Sequence, residues 1–143
     1  FNAKDGLGIS CALRYGLEIA IITGRFSEII HRRAGELGIQ HLYEGVKDKY
    51  AALEKLRTKL NLEQQQVAYM GDDLNDLPAF KAAGVTFAPA DAVREVAAAA
   101  HVVTASCGGR GAVREAVEQL LKAQSKWAEV VASYQESGQG DRQ

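Results

Sequence analysis

The chain of 143 residues has the length of one ordinary domain, and its composition of 47% hydrophobic and 24% charged residues excludes disorder throughout. A formal net charge of -1 excludes broad electrostatic attraction to nucleic acid or anionic lipid, so we expect a small-molecule ligand, no nucleic-acid partner and no membrane partner. Cys11 and Cys107 form no metal-ligand pattern, which favours reduced thiols and a cytoplasmic protein.

Short apolar runs alternate with helical patterns along the chain, which is typical of an α/β protein with a doubly wound parallel sheet. The pattern predicts five strands, at residues 18–23, 41–43, 67–70, 85–88 and 101–104. Because ligands of such sheets bind outside the carboxyl ends of the strands, functional residues are expected where strands end and helices begin.

Helices are predicted from capping residues and from the spacing of apolar side chains. Asp5 is expected to cap a first helix that ends at Tyr15, and Ser27 to cap a second that ends before Gly38. Further helices are predicted at residues 47–60, around 77–83, at 93–100, and as one helix from 112 towards 134. The domain is predicted to span residues 1–136, and residues 137–143 to form a disordered polar tail.

Three acids follow the apolar strand at residues 67–70, namely Asp72, Asp73 and Asp76. Asp72 ends the strand and precedes any helix cap, and its repulsion with Asp73 is relieved by a hard divalent ion such as Mg²⁺, so we interpret Asp72 as a metal ligand. Asp73 and Asp76 have two interpretations that remain open: support of a metal site, or a helix cap and a first-turn acid.

A second strand end carries Thr23, Gly24 and Arg25. A hydroxyl, a guanidinium and the backbone N–H groups of a helix start are donors that match phosphate oxygens, although the same triplet is also an ordinary turn. Arg33, with Arg32 beside it, either extends this positive patch or lies on a solvated helix face.

Lys49 opens the predicted helix that follows the strand at residues 41–43, and a cation is poorly matched to the helix dipole there. That mismatch indicates a bound anion, although lysines near helix starts are common and usually solvated. Because Thr23, Lys49 and Asp72 follow successive strands, we expect one pocket to hold all three.

The ordered set of a hydroxyl after one strand, a lysine at a later helix start and Gly71-Asp72-Asp73 with Asp76 resembles the haloacid dehalogenase superfamily. Further matching stretches lie at residues 2–9, 37–43 and 108–115, and the likeness extends to about residue 124. It is greatest to the superfamily's sugar-acid phosphate phosphatases. The resemblance implies a Rossmannoid core and Mg²⁺-dependent hydrolysis of a sugar-acid phosphate monoester in lipopolysaccharide precursor synthesis, through a phosphoaspartyl intermediate.

The resemblance also implies roles for individual residues. Thr23 would hydrogen-bond the transferring phosphoryl group, Lys49 would neutralise its charge, Asp72 would bind Mg²⁺, and Asp73 and Asp76 would order the metal shell. Substrate-binding roles are implied for Gly24, Arg25, Arg33 and Arg110. Members of the family assemble as homotetramers, and the segment matching residues 108–111 helps to close a neighbouring subunit's pocket.

The sequence departs from the family pattern in one respect, because it contains no Asp-x-Asp motif. In the family that motif lies on the first strand and supplies the nucleophile and the general acid. Asp5 matches a helix start and does not replace it. We therefore expect a core that lacks its first strand and the following hairpin, which should precede Phe1, and we expect the chain itself to hydrolyse little or nothing.

Three other interpretations stay open. The first is a catalytically silent assembly or binding module that keeps the Mg²⁺ and phosphate contacts without turnover. The second is a phosphatase for a related nine-carbon sugar acid, or the phosphatase-like domain of a sialic-acid activating enzyme. A receiver domain is a weaker third, because its acid pair comes early in the chain whereas Asp72 and Asp73 come midway.

Overall fold

The computed structural model describes residues 2–137. Its strands are Ala20–Ile22 (β1), His41–Tyr43 (β2), Ala68–Met70 (β3), Val85–Ala88 (β4) and Val102–Val103 (β5). Its helices are Ala3–Arg14 (α1), Glu28–Leu37 (α2), Lys49–Lys59 (α3), Leu77–Phe80 (α4), Arg94–Ala99 (α5), Ala112–Ala123 (α6) and Trp127–Ser137 (α7). Two 3₁₀ turns, Gln64–Gln66 and Leu74–Asp76, precede β3 and α4. None of these described helices combines the length and the apolar character needed to cross a bilayer.

The strands pair only in parallel, which confirms the predicted doubly wound α/β class. β1 pairs with β2, and β4 lies between β3 and β5. Within residues 2–137 the strands thus form two sheets, of two and three strands, rather than one continuous sheet. β1 and β3 each have a single strand partner in this part of the chain.

Three apolar clusters form the core, one between helices and two that also include strand residues. The largest joins α1 to α6 and α7 through Cys11, Ala12, Val117, Leu121 and Val130. A second packs α1 against α2. The third joins Leu53 of α3 to residues 79–83, with Ile22 of β1 and Tyr69 of β3 packed against it. The carboxyl end of β1 and the middle of β3 therefore rest on the same helical support.

The prediction that Asp5 caps the first helix is wrong. Asn2 caps α1, its Oδ1 accepting the Lys4 N–H at 2.8 Å. Asp5 lies buried inside α1, and its carboxylate accepts the N–H groups of Gly111 at 3.2 Å and Arg114 at 2.9 Å. It therefore caps α6, a helix more than 100 residues away in the sequence.

The final helical region is divided into α6 and α7, whereas the sequence predicts one helix. Ser125 adopts a left-handed conformation with φ of 60°, which ends α6 and redirects the chain before Trp127. The predicted disordered tail at 137–143 begins on Ser137, the last residue of α7, and residues 138–143 lie outside the described residues.

Several predicted elements are shorter in the structure. β1 covers three of the six residues predicted, and α4 ends at Phe80 although its helical pattern continues to Ala83. The chain turns there because Gly84 donates its N–H to the Val67 carbonyl at 2.8 Å and passes close to the backbone of Gln65. Tertiary backbone contact overrides local helical spacing at this point.

Candidate active site

A cavity of about 310 Å³ lies at the carboxyl ends of β1 and β3, and we call it the strand-end cavity. It is lined by Ile22, Thr23, Lys49, Tyr69, Met70, Gly71, Asp72, Asp76, Pro89 and Gly108. The structure thus brings four of the predicted site residues together, Thr23, Lys49, Asp72 and Asp76, from segments up to 53 residues apart. A larger cavity of about 400 Å³ lies at the opposite strand ends, between Leu13, Glu18 and Gln40, and contains none of them.

Asp76 is the most highly bonded side chain of the strand-end cavity. Its Oδ1 accepts from the Lys49 ammonium at 2.9 Å and from the Tyr69 hydroxyl at 2.7 Å. Its Oδ2 accepts from the backbone N–H groups of Asp72 at 2.9 Å and Asp73 at 3.3 Å. Asp76 therefore fixes both the lysine and the turn that carries the other two acids.

The ion pair between Lys49 and Asp76 is buried, with side-chain exposures of 9% and 7%. Burial acts to raise the pKa of the Asp76 carboxyl, but hydrogen bonds from Lys49, Tyr69 and the backbone hold this pKa below its ordinary value. Burial, followed by the hydrogen bond to Asp76 and the charge of that carboxylate, raises the pKa of Tyr69 well above its ordinary value. Tyr69 consequently stays protonated and acts as a donor.

Gly71 allows this arrangement because Asp76 folds back directly under it. A Cβ at position 71 would lie 2.4 Å from the Asp76 Cβ and 2.5 Å from its Cγ, closer than real Cβ contacts. A side chain there would displace the Asp76 carboxylate from Lys49.

Asp72 and Asp73 have different surroundings. Asp73 is the cap of the 3₁₀ turn, its Oδ1 accepting the Leu74 N–H at 2.7 Å, as one of its two sequence interpretations requires. Asp72 as a whole residue is exposed, but its carboxyl is partly buried at the wall of the cavity. This partial burial, followed by the charge of Asp76, raises the pKa of Asp72. A carboxylate in such a position gains from a nearby cation.

Thr23 is held by the ends of β1 and β2. Its N–H donates to the Tyr43 carbonyl at 2.9 Å, and its carbonyl accepts the Val46 N–H at 3.0 Å. Its Oγ1 accepts the Arg25 N–H at 3.2 Å. Gly24 and Arg25 are exposed and lie outside the lining of the strand-end cavity.

The other two predicted arginines also lie outside that lining. Arg33 lies against Gly6 of α1 and pairs with Glu36 at 3.3 Å. Arg110 is exposed at the tip of a loop, between Gly109 and Gly111, which both have positive φ.

Sequence reasoning did not single out Tyr69 or Pro89. Tyr69 carried a usable signal, because a tyrosine on a buried strand next to three acids needs a partner for its hydroxyl. Pro89 lies on the wall next to Gly108, whose N–H donates to Asp91 Oδ1 at 2.8 Å. Only the fold brings these two loops together.

Comparison with known proteins identifies the family. A model of the haloacid dehalogenase-like hydrolases matches residues 19–117. The chain belongs to the haloacid dehalogenase-like hydrolase family. This confirms the resemblance inferred from the motifs.

Individual haloacid dehalogenase-like hydrolases are similar over most of the chain. The 3-deoxy-D-manno-octulosonate 8-phosphate phosphatases of Yersinia pestis and Escherichia coli K12 are 46% and 47% identical over 126 residues, which is 88% of this chain and 67% of theirs. The crystal structure of the Moraxella catarrhalis phosphatase of that name, in complex with magnesium, phosphate and the sugar acid, superimposes with a TM-score of 0.91 at 42% identity. That match covers 94% of this chain and 77% of the other.

Proposed function

We propose that this hydrolase core serves a Mg²⁺-dependent phosphatase that converts 3-deoxy-D-manno-octulosonate 8-phosphate to the free sugar acid and phosphate, in lipopolysaccharide precursor synthesis. The observation that carries the proposal is the gathering of Thr23, Lys49 and Asp72 around one cavity. The 46–47% identity to phosphatases of that substrate supports the choice of sugar acid.

In this proposal Lys49 and Thr23 bind the phosphoryl group. The Lys49 ammonium has three N–H donors and uses one on Asp76, so donors remain for phosphate oxygens in the cavity. The Thr23 hydroxyl can donate to the phosphate while its oxygen accepts from Arg25 N–H. Burial of Lys49 strengthens its attraction for an anion, because few water molecules screen it.

The residues of the cavity fit a Mg²⁺ ion for which water molecules and the substrate phosphate supply most of the ligands. Within residues 2–137 no three His, Cys, Asp or Glu side chains form a group able to hold a metal. Mg²⁺ is commonly bound through one or two carboxylates with several waters and substrate phosphates, which a single Asp72 carboxylate satisfies. When bound, the ion would offset negative charge on the phosphate. Asp76 would hold the Asp72 backbone in place, and Asp73 would cap the turn.

Sugar-acid recognition is assigned to the rim of the cavity. Gly24 and Arg25 follow the lining residue Thr23, and Arg110 follows the lining residue Gly108 by two positions. Both guanidiniums would bind a sugar carboxylate at this rim. Arg33 is also proposed to bind the substrate, because its side chain is partly exposed. It would have to break its ion pair with Glu36 to do so.

A cytoplasmic homotetramer is also proposed. It rests on the family resemblance, and the exposed Phe26 and Ile29 at the start of α2, 83% and 75% accessible, supply apolar surface for contacts between subunits. Sedimentation analysis tests the assembly directly, and a monomer at all concentrations would contradict it.

The alternative is a module that binds Mg²⁺ and phosphate without turnover. Two carboxylates line the cavity in the described chain, and both already have a role: Asp76 is bonded to Lys49, and Asp72 is assigned to the metal. The lack of a further carboxylate among these lining residues favours the alternative. The phosphoaspartyl nucleophile implied by the resemblance is therefore not assigned to either of these two carboxylates.

Binding and phosphate release are best measured separately. With Mg²⁺ present, we expect this chain to bind 3-deoxy-D-manno-octulosonate 8-phosphate more tightly than a nine-carbon sugar-acid phosphate and to release little phosphate from either. The same assay on a longer form of the chain that includes an Asp-x-Asp strand should show turnover. Binding without turnover in both forms would favour the silent module, and no binding in either would refute the proposal.

A further inference from the structure

Tyr69 shares an oxygen of Asp76 with Lys49. Its hydroxyl donates to Asp76 Oδ1 at 2.7 Å, and the Lys49 ammonium donates to the same atom at 2.9 Å. Tyr69 also lines the strand-end cavity, so this contact lies at the wall where Lys49 faces a ligand.

The Tyr69 hydroxyl is held in place independently of Lys49. The Tyr69 ring packs edge-on against Phe80, with ring centroids 6.0 Å apart and planes at 74°. The Asp76 carboxylate is in turn oriented by the N–H groups of Asp72 and Asp73 on Oδ2. Both partners of the hydroxyl bond are therefore fixed by other contacts.

A fixed hydroxyl on Oδ1 restricts the lysine. A carboxylate oxygen accepts hydrogen bonds mainly along two lone-pair directions, so the Tyr69 proton occupies one and leaves the other for the ammonium. The hydroxyl also draws negative charge from Oδ1, which weakens the pull of Asp76 on Lys49. Without the hydroxyl, Lys49 would gain a wider choice of positions and a stronger bond to Asp76.

We propose that Tyr69 is a positioning residue, whose hydroxyl sets the direction of the Lys49 ammonium and keeps its charge available to a phosphate in the strand-end cavity. The inference rests on the proposed function for its ligand, whereas the positions of Lys49 and Tyr69 on Asp76 are observed directly. No matched motif assigned a role to Tyr69.

The test compares three variants of the full chain. Tyr69→Phe removes one oxygen and keeps the ring, Phe80→Leu loosens the ring contact and keeps the hydroxyl, and Tyr15→Phe removes the hydroxyl of a half-buried tyrosine that packs in the α1, α6 and α7 cluster. Two quantities are measured: the ¹H–¹⁵N signal of the Lys49 ammonium by NMR, and the affinity for inorganic phosphate with Mg²⁺ by calorimetry.

Tyr69→Phe is expected to shift or broaden the Lys49 signal and to weaken phosphate binding by about fivefold, the effect of one typical hydrogen bond. Tyr15→Phe should change neither quantity, and Phe80→Leu should change both less than Tyr69→Phe does, because the hydroxyl remains while its ring support is loosened. An unchanged Lys49 signal in Tyr69→Phe, or an equal change in Phe80→Leu, would overturn the inference. If the parent chain binds no phosphate, the proposed function fails, and the Lys49 signal still decides the role of Tyr69.

Discussion

Asp76 illustrates at the scale of one residue how the site depends on a buried charge. The sequence left two interpretations of Asp76 open, as support for a metal shell or as a first-turn acid. In the structure it accepts from Lys49, Tyr69 and two backbone groups. The Lys49 contact spans 27 positions, so no local pattern could predict it.

Replacing Asp76 with Asn should destabilise the chain by about 3 kcal/mol, because removing one partner leaves a buried, uncompensated charge on Lys49. The free energy of unfolding from urea titrations measures this loss. Glu54→Gln is the matched control, since it breaks the more accessible pair with Arg57, whose side chains are 31% and 24% exposed, and its stability should be nearly unchanged. Equal effects of the two variants would show that burial of the Lys49 pair does not contribute.

The same pair predicts how stability depends on pH. The Asp76 pKa is lower in the folded chain than its ordinary value of 3.8, so the unfolded state binds a proton at higher pH. The stabilisation is complete above about pH 4 and is lost as the pH falls through the folded pKa. Urea titrations of the parent and of Asp76→Asn between pH 2 and 6 should therefore converge at the acid end. Parallel curves across that range would contradict the prediction.

Asp72 provides the metal prediction at this scale. Mg²⁺ should raise the melting temperature of the parent chain, because a ligand that binds only the folded state stabilises it by mass action. Asp72→Ala should remove that increase, whereas Glu129→Ala, an exposed acid on α7, should keep it. A Mg²⁺ response retained by Asp72→Ala would exclude Asp72 as a ligand.

At the scale of elements, α1 and α6 form the most extensive helix contact in the described chain, and one carboxylate links them. Asp5 supplies the cap that Gly111 lacks, because glycine has no side chain to accept an N–H of α6. Glu115 of α6 accepts the N–H groups of Ala105 and Ser106, which ties the loop before α6 to the helix as well. The loop that carries Gly108 to the cavity is thus fixed at both ends.

Asp5→Ala should reduce the free energy of unfolding by about 1–3 kcal/mol, because it leaves two helix N–H groups without an acceptor. Trp127 fluorescence during urea unfolding reports the change. Asn2→Ala, which removes the exposed cap of α1, should cost about 1 kcal/mol and serves for comparison. A smaller loss in Asp5→Ala than in Asn2→Ala would mean that Asp5 does not cap α6.

For the whole molecule, local sequence pattern predicted the order of elements better than their junctions. The observed bounds of β2 and β4 match the predicted ones, and Ser27 caps α2. The turn at Ser125, the Asp5 cap and the Tyr69 bond were not predicted. The turn at Ser125 depends on a left-handed residue that is not glycine, and the Asp5 cap depends on partners more than 100 positions away. The Tyr69 bond spans only seven positions, but helical and strand periodicity do not encode a bond between a strand side chain and the turn that follows it.

The α1–α6 contact joins two helices that are synthesised at different times. α1 emerges from the ribosome before α6, yet its largest packing surface and the acceptor role of Asp5 wait until residues 112–123 exist. At usual translation rates the intervening hundred or so residues take about 5–20 s. During that interval the face of α1 that later packs on α6 lacks its partner helix.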